Sequence, residues 1–174
     1  MLDRLREFVS GGEFRRAVTE IRPLIDAVSL IRTEATQQEV EIEAKVDPGL
    51  PMVLADPVQI EQVLLNLLRN AMEAMEAANT EQRSIIIEAR RTSKHAIEVS
   101  VADMGPGVGA EMTQTIFEPF TTTKSLGLGM GLSISRAIIE SHGGSLRLAR
   151  GVRSGAMFIF DLPTVEAETS ADAG

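Results

Sequence analysis

Cysteine, tryptophan and tyrosine are absent from the 174 residues, and phenylalanine occurs only six times. Without thiols the chain forms neither a disulfide nor a thiolate metal site, which suits a reducing compartment. With so few rings, the core must be built from aliphatic side chains and the eight methionines. No apolar run approaches the ~20 residues that span a bilayer, and the opening Met1-Leu2-Asp3-Arg4-Leu5-Arg6-Glu7 holds no apolar signal core. An excess of positive charge is also missing: the formal net charge is -8, which excludes the basic footprint of a nucleic-acid binder. The expectation is a cytoplasmic segment that touches neither membrane nor nucleic acid, and that holds any anionic ligand by local geometry rather than by a global field.

What is present allows one ordinary core, with 44% of the residues hydrophobic. Leu2, Leu5, Phe8 and Val9 stand at helical spacing ahead of Ser10-Gly11-Gly12, the pattern of a helix's last turns. A second helical pattern begins near Pro23, with Leu24, Val28 and Ile31 on one face. The period then changes to two: Val40, Ile42, Ala44 and Val46 alternate with Glu39, Glu41, Glu43 and Lys45, a half-buried strand ending at Asp47-Pro48-Gly49. Asp56-Pro57 supplies a capping acceptor and a proline at the first helical position, and predicts the longest helix, to about Ala77. Residues 84–90 and 96–102 are strand-like and are separated by a polar stretch, which predicts antiparallel neighbours. Residues 103–131 turn to glycine, threonine and proline and read as loop. A helix over residues 131–142, with Ile134, Ala137 and Ile138 on one face, stops at Gly143-Gly144, and strands follow at 145–149 and 157–162. The tail from Thr164 is too poor in apolar residues to order itself. These elements predict an α+β fold of two layers: a mixed, mostly antiparallel sheet with helices on one face.

Three stretches carry chemistry. On the long helix Asn66 and Asn70 are four residues apart, so both amides project from one face. Neutral oxygen donors of this kind suit a hard cation such as Mg²⁺, although two asparagines on a solvated face would look the same. At the end of a strand, Asp103-Met104-Gly105-Pro106-Gly107-Val108-Gly109 puts a carboxylate before glycines that let backbone approach a ligand closely. A carboxylate accepts from the exocyclic amine of adenine, where guanine presents a carbonyl; a glycine-rich turn with a capping Asp is the plainer reading of that stretch alone. Finally, Thr121-Thr122-Thr123-Lys124-Ser125 runs into Gly127-Leu128-Gly129-Met130-Gly131-Leu132, whose last glycines open a helix. Amides at a helix N-terminus favour anions, and Lys124 adds a point charge for phosphates.

In this order, the three motifs resemble the catalytic ATP-binding domain of sensor histidine kinases, in the superfamily that also holds gyrase and the ninety-kilodalton heat-shock chaperones. The resemblance covers about residues 50–163. Asn66-Leu67-Leu68-Arg69-Asn70-Ala71 looks like the family's N box, residues 103–107 its first glycine box, Phe117-Glu118-Pro119-Phe120 its F box and residues 127–132 its second glycine box. Wording around them is most similar to the oxygen-sensing kinases of nitrogen fixation and their nitrogen-regulation relatives. The resemblance implies a Bergerat-type ATP-binding fold over residues 23–163, preceded by the end of a dimerisation helix and a linker in 1–22 and followed by a tail, 164–174. It implies ATP or ADP and Mg²⁺ as ligands, with Asn70 and Asn66 on the metal and the phosphates. Asp103 reads adenine. Glu73, Gly105, Gly107, Val108, Thr123, Lys124, Gly127, Leu128, Gly129, Met130, Gly131 and Leu132 complete the nucleotide site, and Asn66, Asn70 and Lys124 carry catalysis.

Where Asn66 stands, the related ATPases have a glutamate base, so the resemblance implies slow hydrolysis and transfer of the γ-phosphoryl group to a better-placed nucleophile. Departures from the family pattern fall at Glu73, where many members have lysine, and at Ala156, where a hydroxyl residue is frequent. Neither His95, in a polar turn, nor His142, closing a helix where a histidine favourably meets the helix dipole, has the surroundings of a phosphoacceptor. The partners expected are therefore a dimerisation and histidine-phosphotransfer module outside this chain and the receiver domain of a response regulator. By itself the segment is expected to be a monomer, and the whole kinase a homodimer. The competing readings are a gyrase-like ATPase and a nucleotide-binding regulatory module without phosphotransfer.

Overall fold

The computed structural model describes residues 15–26, 31–93, 95–121, 129–150, 152 and 154–165. Its longest helix, α3 (Pro57–Ala77), forms for the reasons its sequence suggests. Asp56 takes an extended conformation at the N-cap and its Oδ1 accepts from the backbone N–H groups of Val58 and Gln59 at 3.1 and 3.4 Å, while Pro57 occupies a position that needs no donor. One face, with Ile60, Leu64, Leu67, Leu68, Ala71 and Met75 among its residues, is buried against the sheet.

That sheet has five strands in the order β2-β4-β5-β7-β6: β2 (Glu41–Val46), β4 (Ser84–Arg91), β5 (Ala96–Asp103), β7 (Met157–Pro163) and β6 (Leu146–Leu148). β2 runs parallel to β4, reached through α3, and every other pair is antiparallel. The mixed, mostly antiparallel sheet with helices packed on it is thus as the sequence predicts. β2 is less buried than its alternation suggests: it lies at the sheet edge, and Ala44 is exposed. The second helix of the layer, α4 (Gly131–Ser141), packs on α3 and buries Ile138 and Ile139.

The amino-terminal half holds two features that single-sequence periodicity does not reveal. β1 (Ala17–Thr19) and β3 (Val53–Ala55) form a separate two-stranded antiparallel sheet, with Val18 opposite Leu54. The helical pattern placed near Pro23 appears as α1 (Ile21–Asp26), and a distinct α2 (Arg32–Gln37) follows, ending just before β2. The helical pattern at 2–9 lies outside the described residues, as does the tail beyond Val165; Thr164 and Val165, expected in that tail, are instead held by backbone hydrogen bonds to His95 and Met52.

His142 corrects one expectation. It is buried, Asp56 N–H donates to its Nε2 at 3.0 Å, and its Nδ1 is 2.8 Å from the carbonyl oxygen of Ile138. Burial, first, and then the Arg16 charge push its pKa down, only partly offset by the Ile138 carbonyl and Asp56. The ring is neutral, an Nδ1–H tautomer that ties the end of α4 to the N-cap of α3, and not a cation meeting a helix dipole.

Candidate functional site

Asn66, Asn70 and Glu73 stand at i, i+4 and i+7 of α3, so they share one stripe of the helix, and all three line a cavity of about 630 Å³. Asn66 is oriented from outside its own helix: its Nδ2 donates to the buried Ser135 Oγ on α4 at 2.9 Å. The amide oxygen is left as the acceptor. Gly131 sits directly against it, for a Cβ at that position would lie 2.4 Å from Asn66 Oδ1. Glycine at the start of α4 therefore permits the close approach that brings the helix N-terminus and the asparagine into one wall.

Asp103, the last residue of β5, lines the same cavity and is buried. Its Oδ1 accepts from Gly105 N–H at 2.8 Å and from Ala156 N–H at 3.1 Å, and its own N–H donates to the Ala156 carbonyl at 2.9 Å. Gly155 makes this possible: it has φ +71°, and a Cβ there would fall 1.7 Å from the Asp103 carbonyl oxygen. Burial pushes the Asp103 carboxyl above the usual carboxylate range, and the two amides pull it part of the way back. With Oδ1 doubly held, Oδ2 has no protein hydrogen-bond donor among the described residues and is the atom available to a ligand.

The rest of the cavity wall is largely apolar, including Val108, Met112, Ile116 and Phe158. An apolar slot whose wall carries a fixed carboxylate, amides and a helix N-terminus suits a flat base carrying a polyanion. The F box contributes from behind. Phe117 meets Phe158 edge to face, centroids 6.2 Å apart, and the Arg136 guanidinium lies 5.4 Å from the centroid of its ring.

Of the residues singled out in the sequence, Asn66, Asn70, Glu73, Asp103, Gly107, Val108, Gly129, Met130, Gly131 and Leu132 line this cavity. Gly105 acts through its N–H on Asp103. Thr123, Lys124, Gly127 and Leu128 lie outside the described residues. Sequence reasoning missed Ser135, whose bond to Asn66 joins residues far apart in the chain, and also the apolar wall of Met112 and Ile116, which lies in a stretch without regular periodicity.

Among the described residues no group of three or more His, Cys, Asp or Glu is placed to hold a metal ion. A divalent cation would need the nucleotide's phosphates as partners. The Asn66 amide, turned by Ser135 to present oxygen and not nitrogen, fits such an ion, and Asn70 lines the same cavity.

Comparison with known proteins settles the family. Residues 55–166 match the family described as "Histidine kinase-, DNA gyrase B-, and HSP90-like ATPase". The chain belongs to that family. It is 42% identical over 167 residues to the sensor protein FixL of Bradyrhizobium diazoefficiens, covering 95% of this chain and 33% of that protein. Among solved structures, the catalytic domain of the histidine kinase ThkA superimposes with a TM-score of 0.76 at 34% identity, covering 86% of this chain and 96% of that one. Full-length ShkA, in complex with AMPPNP, gives 0.77 at 32% identity over 89% of this chain and 32% of its own. ThkA in complex with the response regulator TrrA matches with a TM-score of 0.73 at 29% identity, over 94% of this chain and 47% of that chain. The chain spans about a third of the length of FixL and, in fold and sequence, is similar to nearly the whole catalytic domain of the histidine kinase ThkA.

Proposed function

We propose that this domain binds Mg-ATP in the cavity between Asp103 and Asn66/Asn70 and transfers the γ-phosphoryl group to a histidine of a dimerisation module outside the chain. Asp103 accepts the exocyclic amine of adenine through Oδ2. Asn66 and Asn70 offer amide oxygens at the phosphate end, with the N-terminus of α4 and Lys124 as the positive partners there. Mg²⁺, when bound, neutralises charge on the phosphates. The observation that carries the reading is the fixed amide of Asn66. Held by Ser135, it positions but cannot take a proton from water, so hydrolysis is slow and the phosphoryl group is kept for an external nucleophile.

The domain works in the cytoplasm, where ATP is, and no helix among the described residues is long and apolar enough to cross a membrane. By analogy with ThkA, found in complex with TrrA, the phosphohistidine formed on the module would be read by a response regulator receiver domain. Incubating the chain with γ-labelled ATP, Mg²⁺ and a FixL-type dimerisation fragment tests the proposal. Label is expected on the fragment's histidine and none on His95 or His142. Measurable ATP binding with no label on the fragment refutes the transfer. Release of free phosphate at several turnovers per minute without any acceptor would instead point to an ATPase.

A further inference from the structure

The turn at residues 116–121 holds an uncommon conformation. Phe120 has φ +65°, in the left-handed region, although it is bulky, and it is exposed. A residue with a large side chain stays there only where its surroundings hold it. One hold is on the backbone. Phe120 N–H donates to the Gly129 carbonyl at 2.9 Å, and Gly129, itself at φ +64°, comes so near that a Cβ there would lie 2.7 Å from the Phe120 carbonyl carbon. A second hold is on the ring of Phe117, which meets Phe158 edge to face and carries the Arg136 guanidinium 5.4 Å from its centroid. Arg136 stands on α4, and its Nε donates to Glu140 Oε1, one turn further on, at 3.0 Å. An exposed ion pair of that spacing contributes little by itself, so it orients the guanidinium, and the stack on the ring is what ties α4 to the turn. Along the turn, Glu118 N–H donates to the Thr115 carbonyl at 2.8 Å and Thr121 N–H to the Glu118 carbonyl at 3.3 Å, so a shift at Phe117 is passed on to Thr121. Ile116, Thr121, Gly129 and Phe158, which surround this grip, all line the nucleotide cavity; Arg136 is not among the described wall residues.

We propose that Arg136 is a positioning residue of the nucleotide site: stacked on Phe117, it keeps Ile116 and Thr121 in their places in the cavity wall, and it acts through that ring and not by touching the ligand. The inference rests on the nucleotide site described above.

Calorimetric titration of the 174-residue chain with Mg-ADP tests it, with circular dichroism melts to check that each variant is folded at the titration temperature. Arg136→Gln keeps a polar group near Glu140 and removes the cation; it should weaken ADP about three- to fivefold, the scale of an exposed cation–π contact. Arg136→Lys keeps a cation over the ring and should recover most of that loss. Glu140→Gln should bind ADP within about 1.5-fold of wild type, since the exposed pair contributes little. Phe117→Leu should lose more than Arg136→Gln, because it also gives up the contact with Phe158. The double variant should bind no more weakly than Phe117→Leu alone, since without the ring Arg136 has nothing to stack on. A lower melting temperature with unchanged ADP affinity in Arg136→Gln would make the stack a support of the fold only, and overturns the proposal. So do additive losses in the double variant, a loss in Glu140→Gln as large as in Arg136→Gln, or no recovery in Arg136→Lys. Failure of wild type to bind any nucleotide overturns the site itself, and the positioning role with it.

Discussion

At the residue scale, the site depends on side chains whose polar atoms are assigned to different tasks. Asp103 uses Oδ1 to fix itself, and Oδ2 has no protein donor among the described residues. Asn at this position retains an oxygen for the Gly105 and Ala156 amides but need not present an anion to the base, so Asp103→Asn should fold and lose nucleotide. A hydrogen bond to a charged group contributes ~1.5–3 kcal/mol, so affinity for ADP should fall roughly 10- to 150-fold in calorimetry. The stability effect has the opposite sign. The folded-state pKa of Asp103 lies above its unfolded value, so its contribution to stability is present below the unfolded pKa and is lost as pH rises through the folded one. At neutral pH the variant avoids a buried charge, and its melting temperature should equal or exceed that of wild type. A melting temperature clearly below wild type would show that the carboxylate holds the fold as well as the ligand. Asp103 and its spaced glycines were visible in the sequence, but that stretch alone read more plainly as a capped turn, and only its order with the other two motifs gave the carboxylate a role. The partner of Asn66 was not visible, since Ser135 lies 69 positions away and a serine in a helix announces nothing.

His142 shows the same limit, because its position after α4 was visible and its neutrality was not. The Asp56 N–H that donates to its Nε2 belongs to the residue that caps α3. Since its pKa is lowered in the fold from the ordinary 6.5, its contribution is full above that value and is lost as pH falls below it. Protonation removes the acceptor on Nε2. His142→Leu should lose about 1–3 kcal/mol at pH 7.5, mainly from the stranded Asp56 N–H, with the pH 7 to 5 decline in stability becoming shallower. Urea titrations across that range measure both effects, and an identical pH slope in variant and wild type would rule out His142 as its source.

At the element scale, α3 is both the main support of the core and the element that brings Asn66, Asn70 and Glu73 to the cavity wall. Its start and its face were legible because a cap, a proline and a strict helical period coincide there. β1 and β3 were not, because three residues are too few to establish a period of two and their pairing joins positions 17 and 55. The division of labour along α3 can be tested. Asp56→Ala removes the cap and should cost about 1 kcal/mol through the first turn. Nucleotide affinity should stay within about twofold, since Asn66 lies more than two turns further on and is held by α4. Leu68→Ala, in the fully buried face, should cost ~2–5 kcal/mol in the same denaturation experiment. If the cap substitution instead weakens ADP binding tenfold, the N-terminus of α3 is coupled to the site.

At the scale of the whole molecule, the question is whether this surface holds copies together. Among the described residues the large apolar side chains left exposed are Val18, Leu54, Val58, Met104, Phe120 and Val152. Val18 and Leu54 face each other across β1 and β3, and the rest come from separate stretches of the chain. A stable dimer buries roughly 1,200–2,000 Å² around an apolar centre, more than one exposed cross-strand pair supplies. The net charge of -8 adds repulsion between copies. We therefore expect sedimentation to report a single species near 18.8 kDa at micromolar concentration, with and without Mg-ADP. If repulsion alone kept the copies apart, about 0.5 M salt, which shortens the screening length to a few ångströms, would produce a dimer; if the missing apolar centre is the cause, the mass should not change. A tight dimer at any salt concentration would mean that dimerisation is built into this segment and not left to another module.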